Sequence, residues 1–160
     1  MSTWYRPKDL AEALQIRRDH RAIPMAGATD LLVRHRRGPG MLPKLDGPVL
    51  YLGHLEELCG IEVNEEEIRI GAAVPYSDIL GDVRLPELLR AAVRELAAPA
   101  LRNAGTLGGN LCNASPAADA VCPLYALDAS CELRSLGESR SLSVSEFITG
   151  PGATLLQGRE

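Results

Sequence analysis

The residues with the clearest chemical meaning form one run, from Thr106 to Asp119. Paired glycines lie near the start of the run, and glycine lets a ligand approach the backbone closely. Ser115 is a good N-cap and Pro116 suits the first position of a helix, so we expect a helix to begin there. A glycine turn, short polar side chains and a helix N-terminus predict a cradle for a ligand that carries phosphate.

Two common nucleotide-binding motifs are absent from this glycine run. The sequence GTLGGN at 105–110 is not G-x-G-x-x-G, and no G-K-S/T follows it. These absences exclude a Rossmann fingerprint and a P-loop. An ordinary turn that leads into an ordinary helix stays the alternative, because glycine pairs are common in turns.

Four segments carry a family resemblance. The run LRNAGTLGGN at 101–110, continued by ASPAAD at 114–119, resembles the second flavin-binding motif of the FAD-binding domain of molybdenum hydroxylases. This is the xanthine dehydrogenase and carbon monoxide dehydrogenase medium-subunit family. AGATDLLV at 26–33 resembles the family's A-G-G-T-D-L-L segment. Weaker similarities, to its I-G-A strand and its E-F…G…T-x-L…E stretch, lie at 70–74 and 147–160.

The resemblance implies a fold. It is α+β, a two-lobed PCMH-type FAD-binding fold with a small N-terminal α/β unit and a larger sheet with flanking helices. We expect the lobes at about residues 1–53 and 54–160, with FAD between them. Family members continue into a separate C-terminal domain that helps to cover the flavin, whereas this sequence ends at Glu160. We therefore expect a site that another segment or subunit completes, and a chain that is not competent alone.

The resemblance also implies a cofactor site. FAD would bind non-covalently, with its diphosphate against Gly27–Thr29 and Gly108–Asn110, where backbone N–H groups supply donors and a Cβ would block the approach. Thr29, Thr106 and Asn110 would add side-chain donors. We predict no catalytic or metal-binding residues. The predicted cofactor-binding residues are Pro24, Met25, Ala26, Gly27, Ala28, Thr29, Asp30, Leu31, Thr106, Gly108, Gly109, Asn110, Asn113 and Asp119.

Two residues of this site have alternative interpretations. Asp119 is expected to accept hydrogen bonds from the flavin's ribityl hydroxyls or ring edge. The alternative is that Asp119 is simply an acidic residue in the first turn of a helix, favoured there by the helix dipole. Ala28 replaces the second glycine of the first motif, and its methyl group would displace the diphosphate or require a different turn. A shortened, non-catalytic scaffold subunit that has lost FAD is therefore the alternative function.

The implied function is electron transfer within an oxidoreductase. Electrons would pass from iron–sulfur clusters through FAD to an acceptor, with the molybdenum cofactor and 2Fe–2S clusters on partner subunits. Four cysteines occur and none forms C-x-x-C, so this chain lacks the spacing for a cluster or a zinc ion. A free-standing reductase related to the UDP-N-acetylenolpyruvoylglucosamine reductases is a third hypothesis, which the A-S-P-x-x-D run disfavours.

Composition limits the partners. A chain of 160 residues is one domain by size, and its net charge of −4 argues against nucleic acid or an anionic membrane as a partner. No signal peptide or transmembrane run is visible, which predicts a cytoplasmic protein with reduced thiols. The basic run RHRR at 34–37 predicts a solvated loop, and the three scattered histidines predict no site.

Hydrophobic periodicity predicts the elements that position these residues. A capping box, Asp9 to Glu12, starts a helix over 10–18. The other predicted helices are 30–37, 77–80, 85–96 and 116–127, and the predicted strands are 22–25, 49–52, 61–63, 68–70, 129–133 and 142–144.

Overall fold

The structure, a computed structural model, describes residues 3–158 and residue 160. The strands are β1 Trp4–Tyr5, β2 Ile23–Met25, β3 Val49–Tyr51, β4 Ile61–Val63, β5 Ile68–Ile70, β6 Ser130–Ser135, β7 Glu138–Ser143, β8 Ile148–Gly150 and β9 Ala153–Thr154. The helices are α1 Leu10–His20, α2 Leu31–Arg34, α3 Glu56–Cys59, α4 Tyr76–Gly81, α5 Glu87–Glu95, α6 Pro99–Arg102, α7 Leu107–Asn113, α8 Val121–Ala126 and α9 Val144–Phe147.

The N-terminal part is a three-stranded parallel sheet with helix α1 against it. The strand order is β1-β3-β2, and Val49 of the central strand is in register with both Trp4 and Ile23. Helix α1 begins as its sequence predicts, because the Asp9 carboxylate accepts a hydrogen bond of 2.8 Å from the Glu12 N–H. A small core lies between helix and sheet and comprises Ala13, Ala22, Leu50 and Leu55.

The rest of the chain surrounds a second, larger core. Its strands form three antiparallel pairs, β4-β5, β6-β7 and β8-β9. Helix α5 places Leu89 and Val93 in this core, as the apolar spacing at 85–96 predicts. The other buried members include Val74, Tyr76, Ile79, Leu85, Leu107, Ala118, Ala120, Val121, Leu124 and Val144.

The second predicted helix is shorter than expected. We predicted residues 30–37, but α2 ends at Arg34. The His35 ring Nδ1 bonds the Leu31 carbonyl at 2.8 Å, so this carbonyl has a side-chain partner. The Arg36 N–H then donates to Val33 O, a tighter turn that closes the helix.

The prediction for the glycine run was wrong. We expected a turn at Gly108-Gly109 and a helix from Pro116, but the glycines lie in α7 and the next helix begins at Val121. Ala114, at φ 45°, ends α7. The Ser115 hydroxyl then accepts from the Ala117 N–H at 3.2 Å, which forms a turn in place of a helix start.

Asp119 consequently precedes a helix instead of lying inside its first turn. Helix α8 begins at Val121 with Ala120 as its N-cap.

No helix among the described residues is both long and apolar enough to cross a membrane.

Candidate functional site

One cavity brings the two predicted motifs together. It has a volume of about 610 Å³ and lies between the loop after β2 and helix α7. The first motif lines it throughout, from Pro24 to Leu31. The second motif contributes every predicted residue except Gly108, namely Thr106, Gly109, Asn110, Asn113 and Asp119.

The loop after β2 offers free backbone donors. Across residues 3–158 and 160, the N–H groups of Gly27, Ala28 and Thr29 donate to no protein acceptor. Ala28 has φ 57°, the left-handed conformation that glycine adopts without strain. The alanine therefore keeps a turn that favours glycine, at a conformational cost.

Gly27 is required for a reason that differs from our expectation. A Cβ at Gly27 would lie 1.8 Å from the carbonyl oxygen and 2.7 Å from the carbonyl carbon of Ala104. The protein backbone, and not only a ligand, therefore excludes a side chain here. This contact joins the loop after β2 to the segment that leads into the second motif.

The N–H groups of Gly108 and Gly109 already have protein acceptors, which disfavours the predicted contact of these donors with the diphosphate. Gly108 donates to the Ala72 carbonyl at 3.0 Å, and Gly109 donates to Thr106 Oγ1 at 3.1 Å. Thr106 is thus the cap of α7, where we expected a ligand donor. A Cβ on Gly108 would lie 2.6 Å from the Ala72 Cβ, so this glycine is needed for close packing.

Two buried polar atoms in the cavity wall lack a partner among the described residues. They are the Tyr76 hydroxyl and Asn110 Oδ1. The Tyr76 side chain is 4% exposed, and burial, with the charges of Asp30 and Asp119, raises the pKa of its hydroxyl. The phenol therefore stays protonated and available as a donor. Sequence reasoning missed Tyr76, because a single tyrosine after the I-G-A segment forms no pattern.

The cavity lining also includes the guanidinium of Arg34, a residue that we predicted to lie in a solvated loop. Arg34 and His35 both line it, and Arg34 Nη2 is 3.5 Å from the Asn113 carbonyl oxygen. Arg37 lies outside the lining, with its guanidinium 3.7 Å from Asp46. The basic run is therefore divided between the cavity and the solvent.

Comparison with known proteins identifies this architecture. The sequence profile of the FAD binding domain in molybdopterin dehydrogenase matches residues 1–160. The chain belongs to this family. The predicted family and its α+β fold are thereby confirmed.

Two curated relatives and one solved structure are similar to this chain. The xanthine dehydrogenase FAD-binding subunit of Escherichia coli O157:H7 is 32% identical over 99% of this chain and 55% of its own length. The nicotinate dehydrogenase FAD-subunit of Eubacterium barkeri is 31% identical over 93% and 51%. Quinoline 2-oxidoreductase from Pseudomonas putida 86 superposes with a TM-score of 0.88 at 25% identity, over 99% of this chain and 56% of that chain. The chain thus spans about half the length of these relatives.

The residues around the cavity fit the family's cofactor. FAD carries a diphosphate, and the cavity has free N–H groups at 27–29 and a guanidinium at Arg34. FAD also carries a polyol chain, and the unpartnered atoms of Tyr76 and Asn110 need such a ligand, because an unsatisfied buried polar atom is costly. When bound, FAD supplies the redox chemistry, and the protein binds and orients it.

Proposed function

We propose that this chain is the FAD-binding, electron-transfer part of a molybdenum-hydroxylase-type oxidoreductase. It would pass electrons from iron–sulfur clusters through FAD to an acceptor. The observation that supports this most directly is the cavity that both motifs line, with backbone donors at Gly27–Thr29 that have no protein acceptor among the described residues. FAD would bind there non-covalently, held by these backbone donors and by the polar side chains of the cavity lining.

The diphosphate would bind on the side of the first motif. Gly27, Ala28 and Thr29 line the cavity and their N–H groups have no protein acceptor among the described residues, whereas the N–H groups of Gly108 and Gly109 are occupied. Arg34 is the guanidinium of the cavity lining, and a charge-assisted bond to phosphate is about twice as strong as a neutral one. Because a carboxylate repels phosphate, Asp119 would instead accept hydrogen bonds from the ribityl hydroxyls or the edge of the flavin ring.

The partners follow from the relatives. Their names describe FAD-binding subunits of larger dehydrogenases. We propose that an iron–sulfur subunit and a molybdenum-cofactor subunit assemble with this chain in the cytoplasm.

An absorbance spectrum tests the proposal. The protein, purified with any subunits that co-purify, should be yellow and should release its flavin when acid precipitates it. A colourless protein whose thermal melt does not respond to excess FAD would instead favour the scaffold function. The methyl group of Ala28, at the position of the second glycine of the family's first motif, is the reason for that second candidate.

Substitution of Arg34 tests the orientation of the cofactor. Arg34→Gln should weaken FAD binding and reduce its dependence on salt, because one phosphate contact loses its charge. Arg36→Gln is the matched control, since Arg36 is exposed and outside the cavity lining. Equal salt dependence in both variants would argue against a phosphate role for Arg34.

A further inference from the structure

We infer that Tyr76 positions the ribityl chain of bound FAD, with its hydroxyl donating to a ribityl oxygen beside Asn110. This inference rests on the proposed function and goes beyond it, because it assigns a site residue outside both motifs. The assignment depends on three properties of Tyr76: its fixed placement, its unpartnered hydroxyl and its charged surroundings.

The Tyr76 ring is held in place before any ligand binds. Its backbone N–H donates to the Gly105 carbonyl at 3.1 Å, so α4 is tied to the start of the second motif. A Cβ on Gly105 would lie 3.1 Å from Tyr76 Cε2, which places the ring directly against that glycine. With 4% of the residue exposed, the ring has little room to move, and Tyr76 is one of the residues that line the cavity.

The two unpartnered atoms differ in what they need. The Tyr76 hydroxyl is a donor without an acceptor, and Asn110 Oδ1 is an acceptor without a donor. A fully ionised diphosphate offers acceptors only, so it satisfies Tyr76 but not Asn110. A sugar-alcohol hydroxyl both donates and accepts, so a chain of such groups satisfies both atoms.

The charges near Tyr76 favour the same segment of FAD. Asp30 and Asp119 lie close enough to act on the tyrosine electrostatically and, together with burial, they raise the pKa of its hydroxyl. The Asp119 carboxylate repels a phosphate but accepts hydrogen bonds from neutral hydroxyls. The polyol chain is therefore favoured beside Tyr76 and Asp119, and the diphosphate beside Arg34 and the N–H groups of Gly27–Thr29.

The test compares two ligands and two tyrosine variants. Tyr76→Phe removes only the hydroxyl, and Tyr125→Phe is the matched control, because Tyr125 is 41% exposed on α8 and outside the cavity lining. The ligands are FAD and ADP, measured directly and by competition on the purified protein with its co-purifying subunits. ADP has the diphosphate and adenosine but no ribityl chain.

We expect Tyr76→Phe to bind FAD about 3- to 10-fold more weakly than wild type, the effect of one neutral hydrogen bond, and to bind ADP equally well. Tyr125→Phe should match wild type with both ligands. Unchanged FAD affinity in Tyr76→Phe overturns the inference, and so does an equal loss for FAD and ADP. If wild type binds no FAD at all, the proposed function itself fails, which is a distinct result.

Discussion

Gly27 packs so tightly against Ala104 that a Cβ on the glycine would lie 1.8 Å from the Ala104 carbonyl oxygen. Gly27 belongs to the loop after β2, and Ala104 follows α6 in the other half of the chain. Real Cβ atoms essentially never come within 3.0 Å of a heavy atom outside their own residue and its chain neighbours. The glycine therefore sets how closely the two sides of the cavity approach each other.

Gly27→Ala should destabilise the protein and weaken FAD binding together. The clash involves backbone, which yields less readily than a side chain, so we expect a loss of about 1–3 kcal/mol in the free energy of unfolding. Urea unfolding measures the stability, and flavin fluorescence titration measures the binding.

Gly60→Ala is the control for this substitution. No heavy atom lies within 4 Å of a Cβ at Gly60 and its φ is −83°, so alanine should be accommodated. The free energy of unfolding should change by less than about 0.5 kcal/mol, as is usual at surface positions. Equal effects of the two substitutions would show that the Ala104 contact is unimportant.

Ala28→Gly should stabilise the protein. The native φ of 57° is unfavourable for alanine by about 1–2 kcal/mol, and glycine removes this strain. Glycine also raises the conformational entropy of the unfolded chain, which offsets part of the stabilisation. We expect a net increase of about 0.5–1 kcal/mol, seen as a higher urea midpoint. A lower midpoint would mean that the Ala28 methyl group makes contacts that outweigh the strain.

Local sequence patterns predicted the elements that depend on local features. The apolar spacing at 85–96 predicted α5 because one face is buried, and Asp9 predicted the start of α1 because its cap needs only the Glu12 N–H. Helix α7 could not be predicted this way, since two glycines give it low propensity. It depends instead on a tertiary contact, the Gly108 N–H bond to Ala72.

In the candidate site, too, local sequence patterns predicted some features, whereas others depend on tertiary contacts. Both motifs were found in the sequence because their spacing resembles a family pattern. The roles of individual atoms could not be predicted from the sequence. The occupied N–H of Gly108 and the unpartnered hydroxyl of Tyr76 depend on residues distant in the chain. Arg34 was assigned to solvent for the same reason: the basic run alone does not show where α2 ends.

Asp119→Ala should weaken FAD binding roughly ten- to a hundred-fold, because a hydrogen bond to a carboxylate contributes about 1.5–3 kcal/mol. Asp46→Ala is the control, since Asp46 is exposed and outside the cavity lining. Titration with FAD measures the affinity. If affinity is unchanged while the stability of the FAD-free protein falls, the Asp119 carboxylate acts on the start of α8 instead.

Tyr76 should make the stability of the protein fall at alkaline pH. Burial, with the charges of Asp30 and Asp119, raises the pKa of this hydroxyl above its ordinary value of 10.0. Above about pH 10 the unfolded chain therefore loses the Tyr76 proton while the folded protein keeps it. Because the folded state then binds more protons, stability is complete below pH 10 and decreases above it.

Tyr76→Phe removes this dependence, so between pH 9 and 11 its free energy of unfolding should fall less steeply than that of wild type. The difference in slope should approach about 1.4 kcal/mol per pH unit above pH 10, the value for one proton. Urea unfolding across this range measures both slopes, and Tyr125→Phe controls for loss of an exposed tyrosine. Parallel curves for wild type and Tyr76→Phe would mean that the hydroxyl ionises equally in both states, which a buried donor in the cavity wall does not do.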